Sequence, residues 1–281
     1  MKVLVTTHPF TVPVDGFNNV TYNTKKMKYT QREILSLLKK VNPEIIIAGT
    51  ENYGKQELDL CSNLKLISRV GIGVSSINLQ ECKKRNIKVY NTPDAPTNAV
   101  AELTIAFILS ALRLHNQKIW KKSLGRELSE CVIGIVGYGR IGKKVEKHLK
   151  SFSPKGVLVN DIEIEDTTTL EEIYRESDII TFHVPKLSKQ IEKSDFSQMK
   201  EDVILVNTSR GEIFNEKDLY KWLVQNNNAI AALDVFENEP YDWNSGLSIL
   251  KNVIMTPHIG SYTKKARHKM ETEAIKNIQN A

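Results

Sequence analysis

The chain has 281 residues, 41% apolar and 26% charged, with a formal net charge of +6. That length accommodates one large α/β domain or two ordinary ones with a sizeable core, and no apolar run reaches the ~18 residues that a bilayer crossing needs. Three cysteines, Cys61, Cys82 and Cys131, are odd in number and never fall at C-x-x-C spacing, which argues against a disulfide framework and against a metal site.

The chain opens "MKVLVTTHPF" and enters a β-like run at 2–6 without a charged leader, a long apolar stretch and a small-residue cleavage site, so a cytoplasmic location is expected. Short β-branched runs then alternate with helical patterns. The runs lie at 2–6, 44–48, 64–69, 88–90, 132–136, 157–160, 179–184, 203–207, 229–235 and 253–256. Continuous apolar strands of this kind are buried on both faces, which predicts mainly parallel sheets with helices on each side, a doubly wound α/β architecture.

Between the fourth and fifth runs comes "NTPDAPTN" (91–98), whose two prolines and Asp predict an inter-domain crossing. The helix predicted next, "TNAVAELTIAFILSALR" (97–113), is apolar on nearly every face and is covered either within the chain or by a second subunit. A second crossing is predicted at "TPHIGS" (256–261), before a final helix at about 264–280. Two crossings predict a continuous domain of 95–257 inserted into another formed by 1–94 and 258–281. Lysines and arginines are scattered among 25–28, 83–85, 143–150 and 264–269, which suits a solvated surface or the steering of an anionic substrate better than a nucleic-acid or membrane partner.

After the fifth run stands "GIVGYGRIG" (134–142). A glycine pattern of this kind indicates a dinucleotide only in context: it must follow a strand, open a helix, and be followed about 20 residues later by an acid ending the next strand. "CVIGIV" supplies the strand, Ile141, Val145 and Leu149 lie in helical register, and Asp161 ends "GVLVND". Gly137 then permits the tight turn, Gly139 lets the backbone approach a pyrophosphate, and Gly142 lets helix and strand pack closely. Asp161 would accept from the adenosine ribose hydroxyls and repel a 2′-phosphate, so the expected cofactor is NAD rather than NADP.

Downstream, Arg210 in "LVNTSRGE", Glu239 in "ALDVFENEP" and His258 in "MTPHIG" each lie just past the carboxyl end of a predicted strand. Hydride transfer to a 2-oxo acid needs a cation to grip the carboxylate, a proton donor for the carbonyl oxygen and a group that tunes that donor. Arg, His and Glu supply those three functions.

In order and spacing, "GIVGYGRIG", Asp161, "HVP" (183–185), "VNTSRGE", "ALDVFENEP" and "TPHIGS" resemble the D-isomer-specific 2-hydroxyacid dehydrogenase family. So do "RVGIGV" (69–74), "NTPDAPTNAVAELT", and Trp120 with "GREL" (125–128). The resemblance implies a Rossmann NAD-binding domain inserted into a flavodoxin-like substrate domain. It implies Arg210, Glu239 and His258 as the catalytic trio, and Gly137, Gly139, Arg140, Ile141, Gly142, Asp161, Val184, Thr208 and Asp234 as cofactor-binding residues, with Asp234 on the nicotinamide carboxamide. Val70, Gly71 and Ile72 would offer backbone groups to the substrate carboxylate, beside Arg210. It further implies a homodimer joined around helix 97–113. Ser75 stands where family members often carry Asp. Ala48-Gly49-Thr50 follows the second run where phosphoglycerate-specific members carry Arg, while Arg69 matches a second Arg of those enzymes. The expected activity is NAD-dependent oxidoreduction of a small D-2-hydroxy acid, 3-phosphoglycerate included; glyoxylate or hydroxypyruvate reduction, and a non-enzymatic NAD-responsive module of the same fold, stay open.

Overall fold

The computed structural model describes every residue except 26, 114–121, 123, 245 and 281; the assignment of Trp120 therefore lies outside the described residues. The strands in chain order are β1 (Lys2–Val5), β2 (Asn19–Thr21), β3 (Ile45–Ala48), β4 (Leu66–Arg69), β5 (Lys88–Tyr90), β6 (Val132–Val136), β7 (Gly156–Asn160), β8 (Ile179–Phe182), β9 (Ile204–Asn207), β10 (Ile230–Leu233) and β11 (Val253–Met255). The helices are α1 (Gln31–Val41), α2 (Lys55–Asp59), α3 (Leu79–Lys84), α4 (Thr97–Arg113), α5 (Arg140–Leu149), α6 (Leu170–Glu176), α7 (Lys193–Phe196), α8 (Glu216–Gln225) and α9 (Lys264–Gln279). Each of the ten apolar runs forms a strand. β2 is the addition: three residues, "NVT", on the sheet edge and none fully buried, too short and too polar to show a period.

The chain divides into two compact units, Met1–Pro96 with Thr263–Ala281, and Thr97–Tyr262. The first unit holds one parallel sheet in the order β2-β1-β3-β4-β5. Alternate side chains point to opposite faces of a strand, so Leu4, Ile46 and Ile67 pack with Ile34 and Leu38 of α1, Leu58 of α2 and Cys82 of α3. Val3, Val5, Ile45, Ile47 and Leu66 pack on the other side with Met270, Ala274, Ile275 and Ile278 of α9. α1 starts where its sequence says it should: Thr30 and Glu33 form a reciprocal capping box, and the helix ends at Asn42 in the left-handed region.

The second unit holds a six-stranded parallel sheet in the order β11-β10-β9-β8-β6-β7. β7 lies on one side of β6 and β8 on the other, so the carboxyl ends of β6 and β8 flank the reversal of strand order at which doubly wound sheets bind ligands. α4 and α5 cover one face, through Phe107, Ile108, Leu112, Val145 and Leu149. α6, α7 and α8 cover the other, where the Phe196 and Trp222 rings stack with centroids 5.4 Å apart. Along α4, Ala101, Phe107, Ile108 and Ala111 are buried within the unit, while Leu103, Ile105 and Leu109 remain half-buried. Residues 258–262, placed by the sequence with the first unit, fall in the second, because Asp234 at the end of β10 holds them there through hydrogen bonds described below. No helix among the described residues is long and apolar enough to cross a membrane.

Candidate functional site

The glycine run follows β6 and opens α5. Gly137 has φ +93°, and a Cβ there would lie 2.8 Å from the His183 carbonyl, so the turn admits no side chain. A Cβ on Gly142 would collide with the Gly137 carbonyl, whereas one at Gly139 would meet nothing within 4 Å. The gap above Gly139 is the approach that a pyrophosphate requires. Gly139 is also the residue preceding the first turn of α5 and brings no side-chain oxygen to cap it, leaving the N–H groups of Ile141 and Gly142 to an anion. These residues fit NAD.

Asp161 follows β7, half-buried, and does more than wait for a ribose. Its Oδ2 accepts from the Tyr138 N–H inside the glycine run at 2.6 Å, and its Oδ1 from the Glu163 N–H at 2.9 Å. Tyr138 is held again by its hydroxyl, which donates to Glu146 of α5 at 2.6 Å. At the end of β8, Val184 packs against Gly137, and the His183 Nε2 lies 3.0 Å from the Thr181 hydroxyl. Burial pushes His183 down to about 3, so its imidazole is neutral.

Arg210, Glu239 and His258 all belong to the second unit and stand past β9, β10 and β11 respectively. His258 Nδ1 lies 2.6 Å from Glu239 Oε2, and both side chains are partly open to solvent. Burial would raise the Glu239 carboxyl, but the bond and charge of His258, the Phe236 N–H and the charge of Arg210 outweigh it and hold the group below its ordinary value. Glu239 therefore stays ionised beside the imidazole. Asn207, fully buried, shapes the turn carrying Arg210: its amide donates to the Arg210 carbonyl at 2.7 Å and its oxygen accepts from Ser209 N–H and hydroxyl. A Cβ on Gly211 would collide with the Phe236 carbonyl group, so the loops bearing Arg210 and Glu239 touch backbone to backbone. Neither Asn207 nor Gly211 was singled out from the sequence, although both flank Arg210 in "VNTSRGE".

Asp234 and Thr208 are both tied into the fold beside the site. Asp234 is 1% exposed. Its carboxylate accepts from the Thr256 hydroxyl at 2.6 Å and from the Ile259 and Gly260 N–H groups at 2.7 and 2.8 Å, and its carbonyl accepts from the His258 N–H at 2.9 Å. It grips the turn in which His258 adopts φ +52°. The Thr208 hydroxyl is likewise turned inward, 3.0 Å from that of Thr104 in α4. In the first unit, the Val70 N–H donates to the Ala48 carbonyl at 2.9 Å and the Gly71 N–H to the Thr92 hydroxyl at 2.7 Å. The Ile72 N–H is accepted by nothing among the described residues.

Residues 105–260 match the family model described as D-isomer specific 2-hydroxyacid dehydrogenase, NAD binding domain. The chain belongs to this family. It is an NAD-dependent oxidoreductase. The curated relatives include a hydroxypyruvate reductase of Thermotoga maritima, 35% identical over 86% of both chains. They also include a D-3-phosphoglycerate dehydrogenase of Methanocaldococcus jannaschii, 34% identical over 89% of this chain and 51% of that one. Glyoxylate reductase is the name that recurs. Among solved structures, a D-lactate dehydrogenase from Aquifex aeolicus complexed with NAD and lactic acid is 27% identical, with a TM-score of 0.82 over 99% of this chain and 94% of that one.

Proposed function

We propose that this dehydrogenase interconverts a small 2-oxo acid and its D-2-hydroxy acid, with glyoxylate or hydroxypyruvate as the substrate class. The 2.6 Å bond between His258 and Glu239, on the same sheet edge as Arg210, is the observation that carries the reading. Reduced NAD, when bound, would supply the hydride for C2. Arg210 holds the substrate carboxylate in a two-pronged grip. With Nδ1 bonded to Glu239, His258 has Nε2 left to give a proton to the carbonyl oxygen, and the carboxylate of Glu239 stabilises the imidazolium and fixes the ring. In oxidation the same nitrogen takes the proton back.

Gly137, Gly139, Arg140, Ile141 and Gly142 seat the pyrophosphate, Asp161 reads the ribose, and Val184 and Thr208 border the cofactor. Asp234, which also holds the His258 turn, meets the nicotinamide carboxamide. Phosphohydroxypyruvate is a second reading, favoured by Arg69, whose guanidinium packs over Gly71. The same reading takes the enzyme as a cytoplasmic homodimer, paired through the half-buried Leu103, Ile105 and Leu109 of α4; light scattering checks the pairing. The deciding experiment follows NADH absorbance with glyoxylate, hydroxypyruvate, phosphohydroxypyruvate, pyruvate and 2-ketoisocaproate. Turnover of one or more names the substrate, and NADH binding without turnover of any would overturn the enzymatic reading in favour of an NAD-responsive module.

A further inference from the structure

The segment that joins β10 to Glu239 runs through Phe236 and Glu237, and two successive N–H groups along it are taken by carboxylates. The Phe236 N–H donates to Glu239 Oε1 at 3.1 Å, while Glu239 Oε2 faces His258 Nδ1 at 2.6 Å. The Glu237 N–H donates to Glu216 Oε1 at 2.6 Å. The first bond turns the Glu239 carboxylate toward the imidazole. The second ties the adjoining peptide plane to the start of α8, and so sets the direction in which the Phe236 N–H points. The Gln190 amide holds the Glu237 side chain at 3.0 Å, which leaves the backbone of this segment to Glu216.

Glu216 is the first residue of α8, yet the helix has its cap without it: the Asn215 side-chain oxygen accepts from the Asp218 N–H at 3.1 Å. A carboxylate is favoured near a helix N-terminus, but this one is half-buried. Burial pushes its carboxyl above the ordinary value, the charges of Glu237 and Glu239 add to the push, and the Glu237 N–H opposes it only in part. Helix stability therefore does not explain an acid at this position, whereas its grip on the segment leading to Glu239 does. The other groups around the pair are Arg210 past β9, Asp234 beneath His258, and Tyr241 farther along the Glu239 loop.

We propose that Glu216 is a positioning residue for proton transfer, holding the Glu237 N–H so that the Phe236 N–H aims the Glu239 carboxylate at His258. All of these residues lie in the second unit. The inference rests on the reading of His258 and Glu239 as the proton donor and its partner, and it adds α8 to the elements that keep them aligned. Without the Glu216 carboxylate the Glu237 N–H turns toward water, the segment rotates with it, and Glu239 stabilises the imidazolium less well.

The test uses the whole enzyme and whichever 2-oxo acid the wild type turns over. Glu216→Ala is expected to lower kcat for reduction about tenfold, with KM and the NADH Kd, read by fluorescence titration, within twofold. Reduction fails on the alkaline side as the donor loses its proton, and a poorly aimed carboxylate holds that proton less well, so this limb of the kcat profile should move to lower pH by about half a unit. The His258 ring signal in NMR, identified by its absence in His258→Asn, should move with it. Glu216→Gln keeps an oxygen for the Glu237 N–H and is expected to return kcat to within threefold of wild type. A Glu216→Ala enzyme with wild-type kcat and an unmoved limb overturns the proposal. So does a loss of kcat shared with NADH affinity while the limb stays in place, the mark of a merely structural role, and so does a Glu216→Gln enzyme as impaired as Glu216→Ala. A wild-type protein that turns over no 2-oxo acid defeats the functional reading instead, and the NMR titration, which needs no turnover, still decides whether Glu216 governs the pair.

Discussion

Arg210 and His258 have separable tasks, and their loss has separable consequences. Arg210→Ala removes the group that aligns the carboxylate and His258→Ala the proton donor; each is expected to cost at least ~10² in kcat/KM. Steady-state kinetics with NADH saturating checks this, and a variant within a few-fold of wild type would remove that residue from the chemistry. Gly211→Ala touches neither reacting group, but its methyl collides with the backbone at Phe236. It is expected to lower kcat and thermal stability together, by separating the loops that carry Arg210 and Glu239. The carboxylate of Glu239 gives a pH signature. Its folded value lies below its ordinary one, so its stabilising contribution is present above the unfolded value and is lost as pH falls through the folded one. The stability difference between wild type and Glu239→Gln should accordingly be widest near neutrality and close as the solution is acidified through the carboxylate range, which denaturant melts at successive pH values read directly.

The first turn of α5 and the end of β7 act together, since Asp161 bonds to Tyr138 within the glycine run. Asp161→Ala is expected to relax the preference for NAD over NADP, because the charge that repels a 2′-phosphate is gone. It is also expected to weaken NADH itself, because the turn loses an anchor. Fluorescence titrations with both cofactors separate the two effects, and an unchanged ratio of affinities would contradict the ribose assignment. At the end of β8, His183 is neutral in the fold with a value near 3 against an ordinary 6.5. Its contribution is complete above 6.5 and declines as pH falls from there through about 3, so His183→Gln should flatten the acid side of the stability profile.

These elements also show how far the sequence could be read. Apolar runs and helical periods carry their own signal, which is why ten strands and α4, α5 and α9 were legible, whereas β2 has three half-polar residues and none. The glycine run, Arg210, Glu239 and His258 were legible because each sits where a parallel strand ends. Asp234 and Thr208 were legible as polar residues past a strand, but the contacts that tie them to Thr256, Ile259, Gly260 and Thr104 were not, because those partners lie far away in the chain.

At the scale of the molecule, the first unit is assembled from two stretches far apart in the chain. α9 buries Met270, Ala274, Ile275 and Ile278 against Val3, Val5, Ile45 and Ile47. Glu271, wholly enclosed, accepts from the Thr11 N–H and hydroxyl and from the Val12 N–H. Removing residues 263–281 is expected to strip one face of the first sheet and unfold that unit, while 97–262 keeps its structure; protease mapping of the truncated chain checks this, with a protected 1–96 as the contrary result. During synthesis on the ribosome, residues 1–96 must therefore wait, with one side of their sheet bare, until 263–281 have been translated. The inserted nucleotide-binding unit can settle first, so cells that overproduce this enzyme should depend on chaperone capacity to shield its amino-terminal third.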